Sequence, residues 1–219
     1  AAQYLIQRLR DGDVVCISGG KALAAVVRNV ETSRQFAVQI VPATGGTQGR
    51  HQIDANYLAA ELARRLGGTA HELHAPVIVD TAEARAALVA IRQIRSVLDL
   101  ARQAQIAVLG IGSVAPGAST YFEFPSLQEG DRRRLLEEFG ATGELLARIV
   151  DARGQPCAPD YNDRVVGIGL DDLRAIPLTI GVAATAAKVL PIISALRGGY
   201  LKTLITDEAT ARNVLEQWE

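Results

Sequence analysis

Methionine is absent from this sequence of 219 residues, and cysteine is nearly so. The two cysteines, Cys16 and Cys157, lack the close spacing of metal-binding or redox pairs. Cys16 lies in an apolar segment, which predicts a buried, reduced thiol and a cytoplasmic protein. No apolar run reaches 18 residues and no signal peptide is visible, so neither a membrane span nor secretion is expected. Because the initiator methionine is missing and residues 2–10 already have helical character, we expect the sequence to begin inside a longer protein.

An excess of positive charge is also missing, since the net charge is −1. The chain therefore lacks the overall charge that is typical of a nucleic-acid-binding domain. Its hydrophobic content of 48% and charged content of 21% are those of an ordinary globular protein. We expect one domain over residues 1–219.

The most informative stretch is Gly12–Arg28. Val14–Ile17 predicts a short buried strand, Ser18-Gly19-Gly20 a tight loop, and Lys21–Arg28 a helix. Glycines let a ligand approach the backbone closely, and the first-turn amides of a helix favour anions. With Lys21 beside them, these amides predict a phosphate site, although glycines at such a junction also serve purely structural turns.

The same strand-to-loop pattern recurs four times along the chain. It is found at 37–48, 106–113, 178–186 and 203–210. Strands that alternate with helices predict an α/β fold with a doubly wound, mostly parallel sheet and helices on both faces. We also expect strands at 76–80 and 165–168, a hairpin turn at 151–154, and an aromatic lid at 119–127. The ligand crevice should lie at the carboxyl ends of the parallel strands.

Two further patterns suggest possible sites. Residues 110–115 fit a loose dinucleotide-binding pattern, but Pro116 interrupts the helix that should follow, so a ligand-lining or merely tight turn is favoured over a nicotinamide site. The histidines lack metal-ligand spacing; His51 could touch a ligand, whereas His71 and His74 are expected at the surface. We expect no metal and no cofactor.

Lysine occurs at three positions, Lys21, Lys188 and Lys202. The first two lie near the start of a predicted helix, where a cation opposes the helix dipole by a few tenths of a kcal/mol. A bound anion would offset that cost. Lys202 precedes a strand and is expected at the surface.

Taken together, several motifs resemble the effector-binding domain of the SorC family of bacterial sugar-responsive transcription regulators. The resemblance covers nearly the whole chain and rests on the order and spacing of short motifs. They are Gly12-Asp-Val-Val with Gly20-x-x-Leu23, Gly45-Gly46 with Asp54-x-Asn56, Pro76–Asp80, Leu98–Ala104 with Val108–Gly112, Asn162–Ile168, Leu173–Pro177, Ala195–Gly199 and Ile205–Ala211.

This resemblance implies a fold similar to glucosamine-6-phosphate deaminase and ribose-5-phosphate isomerase, without their enzyme activity. It implies a sugar or sugar-phosphate effector, a homodimer or homotetramer, and DNA binding through an N-terminal helix-turn-helix domain that this sequence lacks. The implied ligand-binding residues are Ser18, Gly19, Gly20, Lys21, Gly45, Gly46, Thr47, Asn56, Gly110, Gly112, Asp163 and Lys188.

Two departures from the family pattern concern the expected phosphate contacts. The first loop has Gly19-Gly20-Lys21 where the family has Arg or Thr at the last position. Ala183-Ala184 replaces a Gly-Gly pair before Lys188, and the added Cβ atoms could restrict close approach of a phosphate.

Two other functions remain as alternatives. An isomerase or deaminase of the same fold needs a general base, for which Asp163 and Asp207 are the candidates at strand ends. A nicotinamide-binding module would instead use the turn at 110–115. The favoured interpretation is a sugar-sensing regulatory domain without enzyme activity.

Overall fold

A parallel sheet of six strands forms the centre of the protein, here a computed structural model that describes residues 1–47, 51–115 and 129–218. The strands within these ranges are β1 (Val14–Ile17), β2 (Gln39–Pro42), β3 (Thr69–Ala70), β4 (Ile106–Gly110), β5 (Gly112–Ser113), β6 (Ala141–Leu145), β7 (Arg148–Asp151), β8 (Leu178–Val182) and β9 (Thr203–Ile205). The large sheet has the order β3-β2-β1-β4-β8-β9. Every neighbouring pair is parallel, which confirms the predicted fold class.

Helices cover both faces of this sheet. They are α1 (Ala2–Arg8), α2 (Lys21–Arg28), α3 (Ala55–Leu66), α4 (Ala82–Ala90), α5 (Arg92–Arg102), α6 (Glu129–Glu137), α7 (Pro159–Asn162), α8 (Leu170–Ala175), α9 (Val189–Arg197) and α10 (Glu208–Glu216). Short 3₁₀ turns occupy His51–Ile53 and Ala186–Lys188. In the part of the chain that the structure describes, no helix is both long and apolar enough to cross a bilayer.

The alternation of side chains along β1 separates two hydrophobic cores. Val15 and Ile17 pack into the core formed with α1, α2 and α3. Val14 and Cys16 pack into the core formed with α5, α8, α9 and α10. Since both faces are covered, all four β1 residues are buried, which explains the continuous apolar run in the sequence.

The chain reverses direction across the sheet between β1 and β4. From β1 it proceeds outward to β2 and β3, and then returns to place β4 on the other side of β1. The loop after β1 leads to α2 on one face of the sheet, whereas the chain after β4 continues directly into β5, and the crevice lies between these two segments. This position, at the carboxyl ends of the strands, is the one expected from the sequence.

A smaller antiparallel sheet, with the order β5-β6-β7, follows β4 directly. It packs against α9, where the Oγ1 of Thr142 and the Oγ of Ser194 are 2.6 Å apart. Gly143 allows this close packing, because a Cβ there would lie 3.2 Å from the Cα of Pro191. The small sheet and α9 thus form one wall beside the crevice.

Several predicted elements differ from the structure. Residues 76–80 and 165–168 are not strands but extended segments joined by isolated bridges, such as Ile78 with Val165. Residues 151–154 do form the predicted reversing turn, across which Val150 and Pro156 make an isolated antiparallel bridge. A second hairpin turn, which the sequence did not predict, joins β6 and β7 at Leu146–Ala147. The helix expected from Thr185 begins at Val189 after a 3₁₀ turn. The predicted lid at 119–127 lies outside the described residues.

Candidate functional site

A cavity of about 530 Å³ lies at the carboxyl ends of β1, β2, β4 and β8. Its polar and charged lining side chains among the described residues are those of Ser18, Lys21, Thr44, Thr47, Glu144, Thr185 and Lys188. Of the ligand-binding residues predicted from the sequence, the cavity brings together Ser18, Gly19, Gly20, Lys21, Gly45, Thr47, Gly110, Gly112 and Lys188. A volume of this size suits one small organic ligand.

The loop between β1 and α2 needs both of its glycines, for different reasons. A Cβ at Gly19 would lie 2.7 Å from the carbonyl oxygen of Ile53, which is too close. Gly20 has φ = +119°, a conformation that residues with a Cβ rarely adopt, and its N–H donates to the same Ile53 oxygen at 2.8 Å. This backbone places the first turn of α2 at the cavity.

The start of α2 has no side-chain cap, because its N-cap residue is Gly20. The backbone N–H groups of Lys21, Ala22 and Leu23, in the first turn, have no carbonyl acceptor within the helix. All three residues line the cavity. A helix N-terminus that lacks a capping side chain and faces a cavity is a favourable place for an anion.

Ser18 connects the two loops that border the crevice. Its backbone N–H donates to the carbonyl oxygen of Val108 at 3.0 Å. Its Oγ accepts the N–H of Gly110 at 3.1 Å. Ser18 is 7% exposed, so its hydroxyl serves the structure of the cavity floor as well as lining it.

The loop after β2 also lines the cavity, but its backbone amides are already used within the protein. The N–H groups of Gly45 and Gly46 donate to the carbonyl oxygens of Val166 and Ala75, at 3.0 and 2.8 Å. The N–H of Thr47 donates to Asp54 Oδ2 at 2.6 Å. These amides already have acceptors within the protein, so they are poorer phosphate donors than the first turn of α2.

Three ionisable side chains line the described part of the cavity, namely Lys21, Lys188 and Glu144. Burial lowers the pKa of Lys188 below its ordinary value of 10.5, the Glu144 carboxylate opposes this change, and Lys21 adds to it. The three charges are therefore close enough to interact. Lys21 extends from α2 on one face of the sheet, whereas Lys188 is the N-cap of α9 on the other.

Glu144 was not predicted as a site residue. It lies on β6, directly opposite Gly112 on β5. Its Oε1 accepts the N–H of Ala147, and a Cβ on Gly112 would overlap its Oε2. The absence of a side chain at Gly112 therefore gives the carboxylate its place beside the cavity.

The turn after Glu144 is unusual because Leu146 and Ala147 have φ of +50° and +67° without being glycines. This conformation costs about 1–2 kcal/mol for each residue. Both side chains are almost fully buried, and both residues line the cavity. Burial of these side chains and the bond from Ala147 to Glu144 offset the cost.

Thr185, which also lines the cavity, is strained as well, with φ = +100°. Its N–H donates to the Oγ1 of Thr210 at 2.9 Å, and that hydroxyl donates to Asp207 at 2.8 Å. Asp207, a candidate base in the sequence, is the N-cap of α10. Hydrogen bonds from Thr210 lower the pKa of Asp207, as expected for a capping carboxylate.

Three predicted ligand-binding residues do not line the cavity. Gly46 packs against Asp54 and Asn56. Asn56 uses its side-chain amide to hold both backbone groups of Leu73, with its Oδ1 accepting the Leu73 N–H at 2.7 Å. Asp163 is exposed at the end of α7. Asn56 therefore joins the start of α3 to Leu73, and Asp163 lies at the surface.

His51 likewise does not line the cavity. Its ring packs against Tyr57, with ring centroids 4.5 Å apart.

The small cavity thus brings together backbone amide donors, the two lysine side chains and one carboxylate. Such a set can bind a small anion that also carries hydroxyl groups.

Comparison with known proteins identifies the family of the chain. The family model described as "Putative sugar-binding domain" matches residues 1–216. The "Deoxyribonucleoside regulator" of Bacillus subtilis is 30% identical over 214 residues, which are 96% of this chain and 67% of that protein. The chain spans between 64% and 67% of the length of three curated relatives, that regulator among them.

Solved structures of transcription regulators have the same fold as this chain. The full-length sorbitol operon regulator SorC from Klebsiella pneumoniae superposes with a TM-score of 0.89 at 25% identity, covering 98% of this chain and 70% of that one. A transcriptional regulator from Streptococcus pneumoniae gives a TM-score of 0.91 at 26% identity, covering 99% of this chain and 82% of that one.

Proposed function

Because this chain belongs to the sugar-binding domain family of SorC-type regulators, we propose that its cavity binds a phosphorylated sugar as the effector of a transcription regulator. The observation that carries this proposal is the start of α2, which faces the cavity without a side-chain cap. Lys21 and Lys188 stand beside it. Amides at a helix start together with two ammonium groups are a strong phosphate-binding combination.

The phosphate would lie at the first turn of α2, with its oxygens accepting from the amides there and from the two lysines. The amides of the loop after β2 support this choice, because they already donate to Val166, Ala75 and Asp54. The sugar would then extend toward the hairpin turn at Leu146–Ala147. The rest of the 530 Å³ cavity accommodates a ligand of that size.

As a sensor, the domain would convert ligand binding into a change in the DNA affinity of the full-length regulator. The chain spans about two thirds of its curated relatives, so DNA binding and part of the assembly would reside in the remainder. With a net charge of −1, residues 1–219 alone should not bind operator DNA specifically. We expect the regulator to act as a homodimer or homotetramer.

The isomerase or deaminase alternative loses both of its candidate bases. Asp163 is exposed outside the cavity, and Asp207 caps α10. A general base must lie within hydrogen-bond reach of the proton that it removes. Glu144 is the carboxylate that lines the described part of the cavity, and the matching family is one of sugar-binding domains. We propose binding without turnover, and the conversion assay below tests Glu144 as a base.

A thermal-shift screen of sugar phosphates and their unphosphorylated parents tests the function. At a concentration of 100 times Kd a ligand stabilises the folded state by about 2.7 kcal/mol, which for a chain of this size raises the Tm by roughly 5–10 °C. We expect this shift from at least one sugar phosphate and not from its parent sugar. Equal shifts from both would contradict the phosphate site, and conversion of the stabilising compound would contradict a purely sensory role.

A further inference from the structure

Among the helices that the structure describes, α4 is the one without a buried side chain. Its residues are alanine, leucine or valine at every position except Glu83 and Arg85. A helix that is apolar on nearly all sides is normally buried. A helix shorter than about 12 residues is also marginally stable in water by itself, so packing must supply most of its stability. The open side of α4 therefore indicates a contact that a single chain does not make.

One side of α4 attaches it to the rest of the domain. Arg85 Nε donates to the carbonyl oxygen of Val165 at 2.9 Å. Leu88 and Val89 are partly buried and pack against the core on that face of the sheet. The other side, here called the α4 face, consists of the exposed residues Ala82, Glu83, Ala86, Ala87 and Ala90. Its small side chains let a second helix approach closely.

The two ends of the α4 face are complementary to each other. Asp80 and Glu83, both exposed, place negative charge at its amino end. Arg92 and Arg95, also exposed, place positive charge just beyond its carboxyl end. Ile91 adds a large apolar side chain at the basic end and is 47% exposed. A surface with this pattern fits a copy of itself that is turned by 180°.

We propose that the α4 face is a contact between two copies of this chain, related by a two-fold axis that sets their α4 helices antiparallel. The proposal rests on the homodimer or homotetramer proposed above and names a surface for it, but it is independent of the effector. In such an isologous contact each copy offers the same patch. Ile91 of each copy packs near Ala82 of the other, and Arg92 of each faces Glu83 of the other. A second copy supplies the required shape and charge at both ends.

The size of the α4 face sets the strength of this contact. Nine residues form a helix about 13 Å long, which buries well below the roughly 800 Å² per partner of a stable interface. We therefore expect weak self-association, with a Kd of about 10 µM to 1 mM. In a full-length regulator whose chains are also joined elsewhere, the effective concentration is about millimolar, so the contact would form.

Sedimentation equilibrium of residues 1–219, at concentrations up to about 1 mM, measures the association. Ala86→Arg places a cation in the middle of the α4 face, where the two-fold axis brings like charges together. It should weaken the association by at least about 100-fold. Ala209→Arg is the matched control, because it adds the same charge at an exposed alanine of α10 and should leave the association unchanged. Circular dichroism establishes that both variants are folded.

Two charge reversals test the antiparallel arrangement itself. Arg92→Glu alone sets two carboxylates against each other, and Glu83→Arg alone sets two cations together. Each variant should therefore associate about 2- to 30-fold more weakly than wild type. An equimolar mixture of the two variants should recover the wild-type association, because both ends of the mixed pair then join opposite charges.

The possible outcomes are distinct. Loss of association in Ala86→Arg, no change in Ala209→Arg and recovery in the mixture support the proposal. A wild-type protein that stays monomeric at about 1 mM overturns it, as does a dimer that survives Ala86→Arg. A mixture that associates no better than its separate components overturns the antiparallel arrangement. None of these results depends on sugar-phosphate binding, which the thermal-shift screen tests separately.

Discussion

Lys188 is the residue whose replacement tests the phosphate site most directly. It is the N-cap of α9, partly buried at the cavity wall, and burial lowers the pKa of its ammonium group. Keeping a lysine charged in such a place is unfavourable unless anionic groups are near. A charge-assisted bond to a phosphate is worth about 1.5–3 kcal/mol. Lys188→Ala should therefore weaken a phosphorylated sugar by about 10- to 150-fold.

The assay is titration calorimetry with the sugar phosphate and with its unphosphorylated parent. Lys202→Ala is the matched control, because Lys202 is exposed before β9, at the amino end of the sheet, where its Nζ donates to the carbonyl oxygen of Arg174 at 3.1 Å. We expect Lys188→Ala to weaken the phosphorylated ligand alone, and Lys202→Ala to weaken neither. Equal losses for the two ligands would show that Lys188 holds the sugar or the fold, and would refute the phosphate contact.

Three further predictions follow from the same structure. Gly20→Val should destabilise the protein by about 1–2 kcal/mol, because valine disfavours φ = +119°. A backbone change that relieves this strain would rotate the first-turn amides of α2 and abolish ligand-dependent stabilisation. The control Gly12→Val, at φ = +91° on the amino side of β1, should leave the ligand-induced Tm shift intact. Sugar-phosphate affinity should be greatest above about pH 6, where the phosphate ester is a dianion, and should fall as the pH rises through the lowered pKa of Lys188, below 10.5. In calorimetry, Lys188→Arg should delay that fall. Hydrogen bonds from Arg64 are the chief reason that the pKa of Glu61 is lowered from 4.5 to about 2. The Glu61 carboxylate should therefore add up to about 1 kcal/mol to the free energy of unfolding above pH 4.5. In urea denaturation, Glu61→Gln should be less stable than wild type at about pH 7, and the difference should disappear as the pH falls toward about 2.

The parallel sheet was predictable because its buried strands are continuous apolar runs. Val14–Ile17 and Ile106–Gly110 are each buried on both faces, and glycine-bearing loops follow them. Such runs require a sheet covered by helices on both sides. The topology then places Ser18, Lys21 and Gly110 at one edge, so most of the predicted site follows from the strand order alone.

The segments at 76–80 and 165–168 show where this reasoning fails. Both contain the same kind of apolar run as a strand, and the interpretation as strands was reasonable from composition. In the structure they pair with each other at Ile78 and Val165 through one isolated bridge. Whether an extended apolar segment joins a continuous ladder depends on neighbours distant in the sequence, which composition does not reveal.

Glu144 and the turn that follows it were beyond prediction for a related reason. Leu146–Ala147 has none of the glycine or asparagine that usually marks a two-residue hairpin turn. Its conformation is imposed by burial and by the carboxylate of Glu144. Only the pairing of β5 with β6 brings that carboxylate to the cavity.

The placement of the two cavity lysines on opposite faces of the sheet has a mechanical consequence. Lys21 belongs to the helical layer of α1, α2 and α3, and Lys188 to the layer that contains α9. Each layer completes its own hydrophobic core on its own face of the sheet. A phosphate held by both lysines would be a cross-link between the layers at their open end, so that part of the binding free energy resists shear of one layer past the other.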